Sequence, residues 1–413
     1  MSTIIEKIFS MHSKDRVEVG ETIWLDIDVR TARDFGGAQV VKNLLENYDG
    51  NYVENANKTF FTFDTSAPAK TIGYAQNQQI CRKFARKQGI RVFDVDAGIG
   101  THVLMEEGII HAGITAVGTD SHYNIVGAIG AFGQGMGDVD IAFVFKTGKT
   151  WFEVPPTIKV HFNGMPSAAW TAKDLALFTI KKLGRKALGK AIEFYGEIID
   201  ALSVDARITL ASMVTEMGGI IGFIPPNDAT IKWMEMATGK KVEPVYADKD
   251  ASYDEEIDID VSNLKPMIAL PGSPSNVRAV EELPYTPIDT VFIGSCTNGR
   301  LEDMHMVAKI VKGKKIKDGV TMKVVPTTRR VWKSMLEDGT MKILADAGAI
   351  ISNPGCGGCA AGQIGMTGEG EVQISTANRN FKGKQGLGET YLASPATAAA
   401  SAIAGYITEV END

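Results

Sequence analysis

The chain has 413 residues, a formal net charge of −7, and a composition that is 44% hydrophobic and 23% charged. That length exceeds one ordinary domain, and that composition belongs to a globular protein with several cores. The acidic balance argues against a nucleic-acid-binding face, and no apolar run is long enough to span a bilayer. The opening MSTIIEKIFSMHSKDRVEVG has neither the apolar stretch nor the small-residue cleavage site of an export signal.

Short β-branched runs alternate with longer helical patterns along the chain. KTFFTFD (58–64), RVFDV (91–95), ITAVGTD (114–120), DTVFIGS (289–295), MKVVPTT (322–328) and AGAIISN (347–353) predict strands. Residues 69–89, 301–314 and 328–348 predict helices. The alternation predicts an α/β fold with largely parallel sheets. TWFEVPPTIKV (150–160) and IALPGSPSNVRAVEELPYTP (268–287) are rich in chain-breaking residues and predict joints, which gives domains at 1–156, 157–281 and 282–413. The acidic run DKDASYDEEIDID (248–260) predicts a solvated face.

Four cysteines in a chain of this size do not make a disulfide framework. The expected compartment is reducing cytoplasm, where clustered cysteines bind metal or do chemistry. Cys356 and Cys359 stand at C-x-x-C spacing in NPGCGGCAAG, and Cys296 sits in GSCTNGR. Each segment follows a predicted strand and is rich in glycine, the place where ligand sites form in parallel α/β sheets. Glycine lets the backbone wrap closely around a ligand and aim N–H groups at it. A structural zinc site would need a fourth ligand, and His305 lies more than two helical turns past Cys296. The distant third cysteine and the Gly-Gly between the thiols fit a thioredoxin-like pair poorly. What remains is a [4Fe–4S] cluster held by Cys296, Cys356 and Cys359, with one iron lacking a protein ligand. Cys81, inside an amphipathic pattern, is expected to be helix packing.

GSCTNGR, SNPGCGGC, ISTANRNFKGKQG (374–386) and YLASPATAAASAIAG (391–405) together resemble the aconitase superfamily. FFTFD (60–64), TDSH (119–122), GAIGAFGQGMGDVDIA (127–142) and TGKTWFEVPPTIKV (147–160) extend the likeness through nearly the whole chain, in family order. The nearest likeness is to the stand-alone large subunits of the 3-isopropylmalate dehydratase and homoaconitase type. The resemblance implies three α/β/α domains around a central iron–sulfur site. It also implies a swivelling fourth domain absent here and carried by a separate small subunit. The implied chemistry is removal of water from a small hydroxy di- or tricarboxylate and its return at the neighbouring carbon.

Residue by residue, the resemblance implies a catalytic Asp120–His122 pair, substrate held by Ser121, and a carboxylate-binding fork at Arg379. Asn298, Arg300 and Asn378 are expected near the cluster or substrate. The family pattern places a histidine after Asp64, where this chain has Thr65, and another at the place of Thr101, with His102 one residue on. Where a second arginine is common the chain has Lys384, and Tyr123 follows Asp-Ser-His in place of the commoner Thr. Asp64 and His102 are carried as further catalytic candidates, and Lys384 as a substrate-binding one. These departures predict a retained cluster with an altered proton relay. A methyl- or dimethylmalate dehydratase, a homoaconitase and a non-catalytic metal- or RNA-binding relative stand as alternatives.

Overall fold

The computed structural model describes residues 1–50, 52–166, 169–360 and 364–410. Three sheets organise it. The first runs in the order Arg91–Phe93, Thr59–Thr62, Val29–Arg33, Thr115–Gly118 and Phe132–Gly135, all parallel. The second, also parallel, runs Ile221–Phe223, Ala191–Tyr195, Thr157–Asn163 and Glu255–Asp260. In the third, Glu389–Ala393, Val372–Ser375, Thr290–Ile293, Thr321–Val324 and Ile350–Ile351 are parallel. Two short antiparallel strands, Met267–Ala269 and Val277–Ala279, extend that sheet past Glu389–Ala393. The sequence places those two strands in its expected second domain, yet they hydrogen-bond into the third sheet.

The α/β expectation holds for a physical reason. Central strands such as Val29–Arg33, Thr59–Thr62, Thr115–Gly118 and Thr290–Ile293 are buried along nearly their whole length. Helices cover both faces, as a parallel sheet requires. Ile72–Gln88 is one such helix: Thr71 accepts the Tyr74 N–H at 3.3 Å at its start, and Gly89 ends it in the left-handed conformation. Cys81 packs inside that helix, and burial pushes its thiol up to about 12, so it behaves as a small hydrophobe. The sequence predicts one helix over 328–348, but two form, Arg329–Glu337 and Thr340–Ala347. Gly339 breaks them at φ +83°, and the Asp338 carboxylate accepts the Thr340 N–H at 2.9 Å.

After Lys149–Glu153 pairs with Thr22–Asp26, Pro155 and Pro156 lead straight into the second sheet. The acidic run becomes that sheet's edge strand, Glu255–Asp260, with Lys159 and Lys186 bonded to Glu256 and Glu255. Among the described residues no helix is long and apolar enough to cross a membrane.

Strand order sets the place of the site. In the first sheet the chain starts at Val29–Arg33, builds outward to one side, then returns to the other at Thr115–Gly118. The parallel part of the third sheet starts at Thr290–Ile293 and reverses in the same way at Val372–Ser375. Each reversal leaves a crevice at the carboxyl ends of two neighbouring strands, and the loops from both crevices meet at one cavity.

Tyr123 fills the crevice floor of the first sheet, with its hydroxyl accepting from Thr31 Oγ1 at 3.1 Å. It fits because residue 118 is glycine: a Cβ there would lie 2.4 Å from the Tyr123 ring and 2.2 Å from Thr31 Oγ1. We expect Gly118→Ala to destabilise the fold by ~1–3 kcal/mol through overpacking, read as a lower denaturation midpoint with unchanged m-value.

Candidate active site

The cavity where the two crevices meet has a volume of 410 Å³. Cys296, Cys356 and Cys359 line it together with Asp120, Ser121, His122, Arg379 and Lys384. Asp120 and Lys384, 264 positions apart in the sequence, thus line one cavity.

Each cysteine is held by its own backbone device. Cys296 follows Ser295, whose φ of +76° makes it the one non-glycine residue with positive φ among those described. Such a conformation persists only where the surroundings impose it. Here the Ser295 hydroxyl accepts the Thr297 N–H at 3.2 Å, and Thr376 Oγ1 both accepts the Gly294 N–H at 2.9 Å and donates to the Gly294 carbonyl at 3.0 Å. Between Cys356 and Cys359, Gly357 has φ +57°, and a Cβ on it would lie 2.7 Å from the Phe292 ring. The Gly-Gly pair therefore lets this loop lie flat on the third sheet. The Cys356 N–H reaches across to the Asp64 carbonyl at 3.0 Å, tying the loop to the first sheet.

Burial pushes the Cys296 and Cys356 thiols well above the usual range. Buried sulfurs of this kind ionise only against a positive partner. Among the described residues no three His, Cys, Asp or Glu side chains converge on a single-ion position. Three thiols that line one cavity are a donor set that would suit a thiolate-held group.

Two residues at the site carry no motif and escape the sequence reading. Glu216, in the 3₁₀ turn Met213–Met217, accepts from His122 Nε2 at 2.7 Å and from Arg379 Nε at 2.8 Å. Burial alone would raise its pKa, but His122 and Arg379 together hold it below the usual carboxylate range. Arg33, at the end of the strand Val29–Arg33, contacts Asp64, Asp120 and Cys356. Its signal was present: RDFGG repeats the pattern of a strand followed by glycines that singled out the cysteine loops.

Glu216 corrects the expected Asp120–His122 pair. The Asp120 carboxylate accepts the His122 backbone N–H at 3.1 Å and faces Arg33, while the imidazole pairs with Glu216. Burial acts to raise the Asp120 pKa, but Arg33 and His122 hold it low. Asp64 does not line the cavity. It sits behind Arg33, with Oδ2 accepting the Gly100 N–H at 2.8 Å, and burial pushes it up to about 6.

Four other candidates lie off the cavity wall. Asn378 is buried behind Cys296 and accepts from its thiol at 3.3 Å, while its Nδ2 has no partner. Asn298 turns away, donating to Thr209 Oγ1 at 3.2 Å and Asp303 Oδ1 at 2.9 Å. Arg300 clamps the same loop through the carbonyls of Cys296 and Thr297 and ties it to the Asp205 carbonyl of the helix Val204–Ser212. His102 lines a second cavity of 160 Å³ behind the Cys296 loop, with Glu106, Arg300 and Arg330. Burial, then the charge of Arg300, lowers its pKa to about 3. The one-residue shift in the sequence thus moves the imidazole away from the cavity.

Among the described residues Arg379 bonds only through Nε, which leaves its two terminal nitrogens for the cavity that it lines, and Lys384 Nζ has no hydrogen bond or ion pair. Below them Lys173 is fully buried, donating to the Thr376 and Ala377 carbonyls at 3.0 and 2.8 Å. Burial brings its pKa down to about 7 against the pull of nearby Cys296, Asp303 and Glu216. It adds positive charge beneath the thiols.

Glu106 in the second cavity offers a pH test. Burial pushes it up to about 7, against a hydrogen bond from Thr328 Oγ1 at 2.9 Å. A carboxyl raised in the fold contributes fully below its unfolded pKa and loses that contribution as pH rises toward 7. We expect Glu106→Gln to match the native chain near pH 4. At pH 8 the variant should melt a few degrees higher, for ~1–3 kcal/mol.

Comparison with known proteins closes the argument. The pattern of the Aconitase family (aconitate hydratase) matches residues 6–405. The chain is 42% identical over 411 residues to 3-isopropylmalate dehydratase large subunit 1 of Methanopyrus kandleri, covering 98% of each chain. It is 42% identical over 387 residues to the "Probable methanogen homoaconitase large subunit" of Methanosarcina mazei, covering 93% of this chain and 98% of that one. In fold it is similar to Thermococcus kodakaraensis aconitase X in its holo-form, with a TM-score of 0.51 at 13% identity over 94% of this chain and 88% of that one. The chain belongs to the aconitase family.

Proposed function

We propose that this chain is the cluster-bearing large subunit of a hydro-lyase that dehydrates and rehydrates a small hydroxydicarboxylate of the 3-isopropylmalate type. The observation that carries the reading is the meeting of Cys296, Cys356 and Cys359 with a proton-handling pair and two uncommitted cations at one cavity. Near-full-length likeness to proteins named as 3-isopropylmalate dehydratase large subunits supports it.

The residues fit a [4Fe–4S] cluster: three thiols that line one cavity, two of them buried, and an unpartnered Asn378 Nδ2 beside Cys296. Cys296, Cys356 and Cys359 would hold it, which leaves one iron without a protein ligand. When bound, the cluster supplies Lewis acidity for a leaving hydroxide. The chain's own side chains supply the rest. Arg379 presents a planar fork to one substrate carboxylate, Lys384 a point charge to the other, and Ser121 a hydroxyl. His122 is the proton carrier, oriented through Nε2 by Glu216, which also aims Arg379. One carboxylate therefore sets both the base and the anion clamp.

Two uncommitted cations match two carboxylates, which favours a dicarboxylate. The homoaconitase reading, which needs a third, has the Methanosarcina relative in its favour. The relatives' names imply a small subunit. The cavity is open, and Phe35 and Phe381 on its wall are 68% and 47% exposed, an apolar rim suited to a covering partner.

The test is anaerobic reconstitution with iron and sulfide, addition of the cognate small subunit, and a screen of hydroxy acids for alkene absorbance in the ultraviolet. We expect turnover of 3-isopropylmalate above that of homocitrate; the reverse order selects homoaconitase, and zinc without acid-labile sulfide ends the hydratase reading. Cys296→Ser should bind less iron and sulfide per chain. Glu216→Gln should lower kcat by about 10²-fold or more, the scale of lost acid–base catalysis.

A further inference from the structure

Arg33 has no place in the mechanism above, yet it is the most heavily committed cation at the cavity. Its side chain is 13% exposed, and each of its three nitrogens meets a different group. Nε donates to Asp64 Oδ1 at 2.6 Å, Nη1 lies 3.2 Å from Asp120 Oδ1, and Nη2 donates to Cys356 Sγ at 2.7 Å.

The groups around it are themselves fixed. The Arg33 backbone N–H donates to Thr119 Oγ1 at 2.9 Å, which joins its strand end to the one that carries Asp120. Asp64 is pinned by the Gly100 N–H on its second oxygen, and its carbonyl accepts the Cys356 N–H. Cys356 is therefore gripped twice from the first sheet: by its backbone through Asp64, and by its sulfur through Arg33. Arg379 is different, since its two terminal nitrogens are uncommitted. The geometry separates the two arginines into a fork for the substrate and a fork for the protein.

We propose that Arg33 is a positioning residue that locks the Cys356 ligand loop to the Asp64–Asp120 pair and tunes the cluster through its N–H···S bond. The proposal rests on the cluster reading given above. The family resemblance leads one to expect imidazoles at Thr65 and Thr101, and this chain has neither. Arg33 supplies positive charge between the two acids from another strand. A guanidinium keeps its proton at any working pH, so it replaces the charge of an imidazolium without its proton transfer. Proton traffic is then left to His122 and Glu216. An N–H donated to a ligating sulfur draws charge off it and favours the reduced cluster, so losing that bond moves the potential negative.

The experiment compares the native large subunit with Arg33→Gln, Arg33→Lys and the double variant Arg33→Gln/Asp64→Asn, all reconstituted anaerobically. Iron and acid-labile sulfide per chain and the cluster midpoint potential are measured first, then kcat and KM with the cognate small subunit. We expect Arg33→Gln to shift the potential negative and lower kcat at least tenfold, with KM changed less than about threefold. Arg33→Lys, a point charge that cannot span three partners, should recover only part of either. The double variant removes Asp64, the fully buried one of the two acids that Arg33 pairs, so it reports even where the single variant folds poorly; its potential should stay negative of the native value. A native potential in the double variant, or a loss carried by KM alone, overturns the proposal. A native chain that takes up no iron and sulfide overturns the cluster reading itself, a result distinct from either.

Discussion

Charge has to balance in a water-poor crevice, and the rest of the site follows from how it does. Two acids at the strand ends, Asp64 and Asp120, meet Cys356 around Arg33, and Glu216 meets His122 and Arg379. Left alone, each of these groups would protonate, because burial favours the neutral form. Arg33 opposes that at Asp120 and Arg379 at Glu216, while the Cys296 and Cys356 thiols stay pushed well up. Lys173 is held by two backbone carbonyls, Arg33 by three side chains and Arg379 by Glu216. Removing one member of so dense a set leaves its partners as unpaired buried charge, which costs more than the pair contributes.

The fold makes the crowding possible. Two doubly wound sheets each reverse direction once, and each reversal opens a gap at the carboxyl ends of its strands. One gap delivers the acids and His122, and the other delivers Cys296 and Arg379. Neither sheet alone holds a complete constellation. The Cys356 N–H bond to the Asp64 carbonyl and the sulfur bond to Arg33 stitch the two sheets at that point.

How much of this was legible in the sequence depended on range. The cysteines, Asp120, Ser121, His122 and Arg379 sit in short motifs whose residues act together, so reading the motif finds the residue. Glu216 was hidden because nothing near MVTEM signals it; its role is made by His122 and Arg379 arriving from positions 94 and 163 residues away. Arg33 carried the right local pattern, but the pattern was read only where cysteines marked it. His102 and Asn298 failed in the opposite way. They sit in the right motifs, but helical phase and a tight loop turn them toward other cavities. The break at Gly339 was missed because both halves share one amphipathic pattern.

The edge of the second sheet has a consequence of a different kind. Glu255, Glu256, Asp258 and Asp260 stud the outermost strand, and its outer rim of backbone donors and acceptors faces away from the sheet. A bare strand edge is an invitation to another copy's strand. Glu255 and Glu256 with their lysines set charges of both signs along this one, and a second strand would have to strip their water before it could pair.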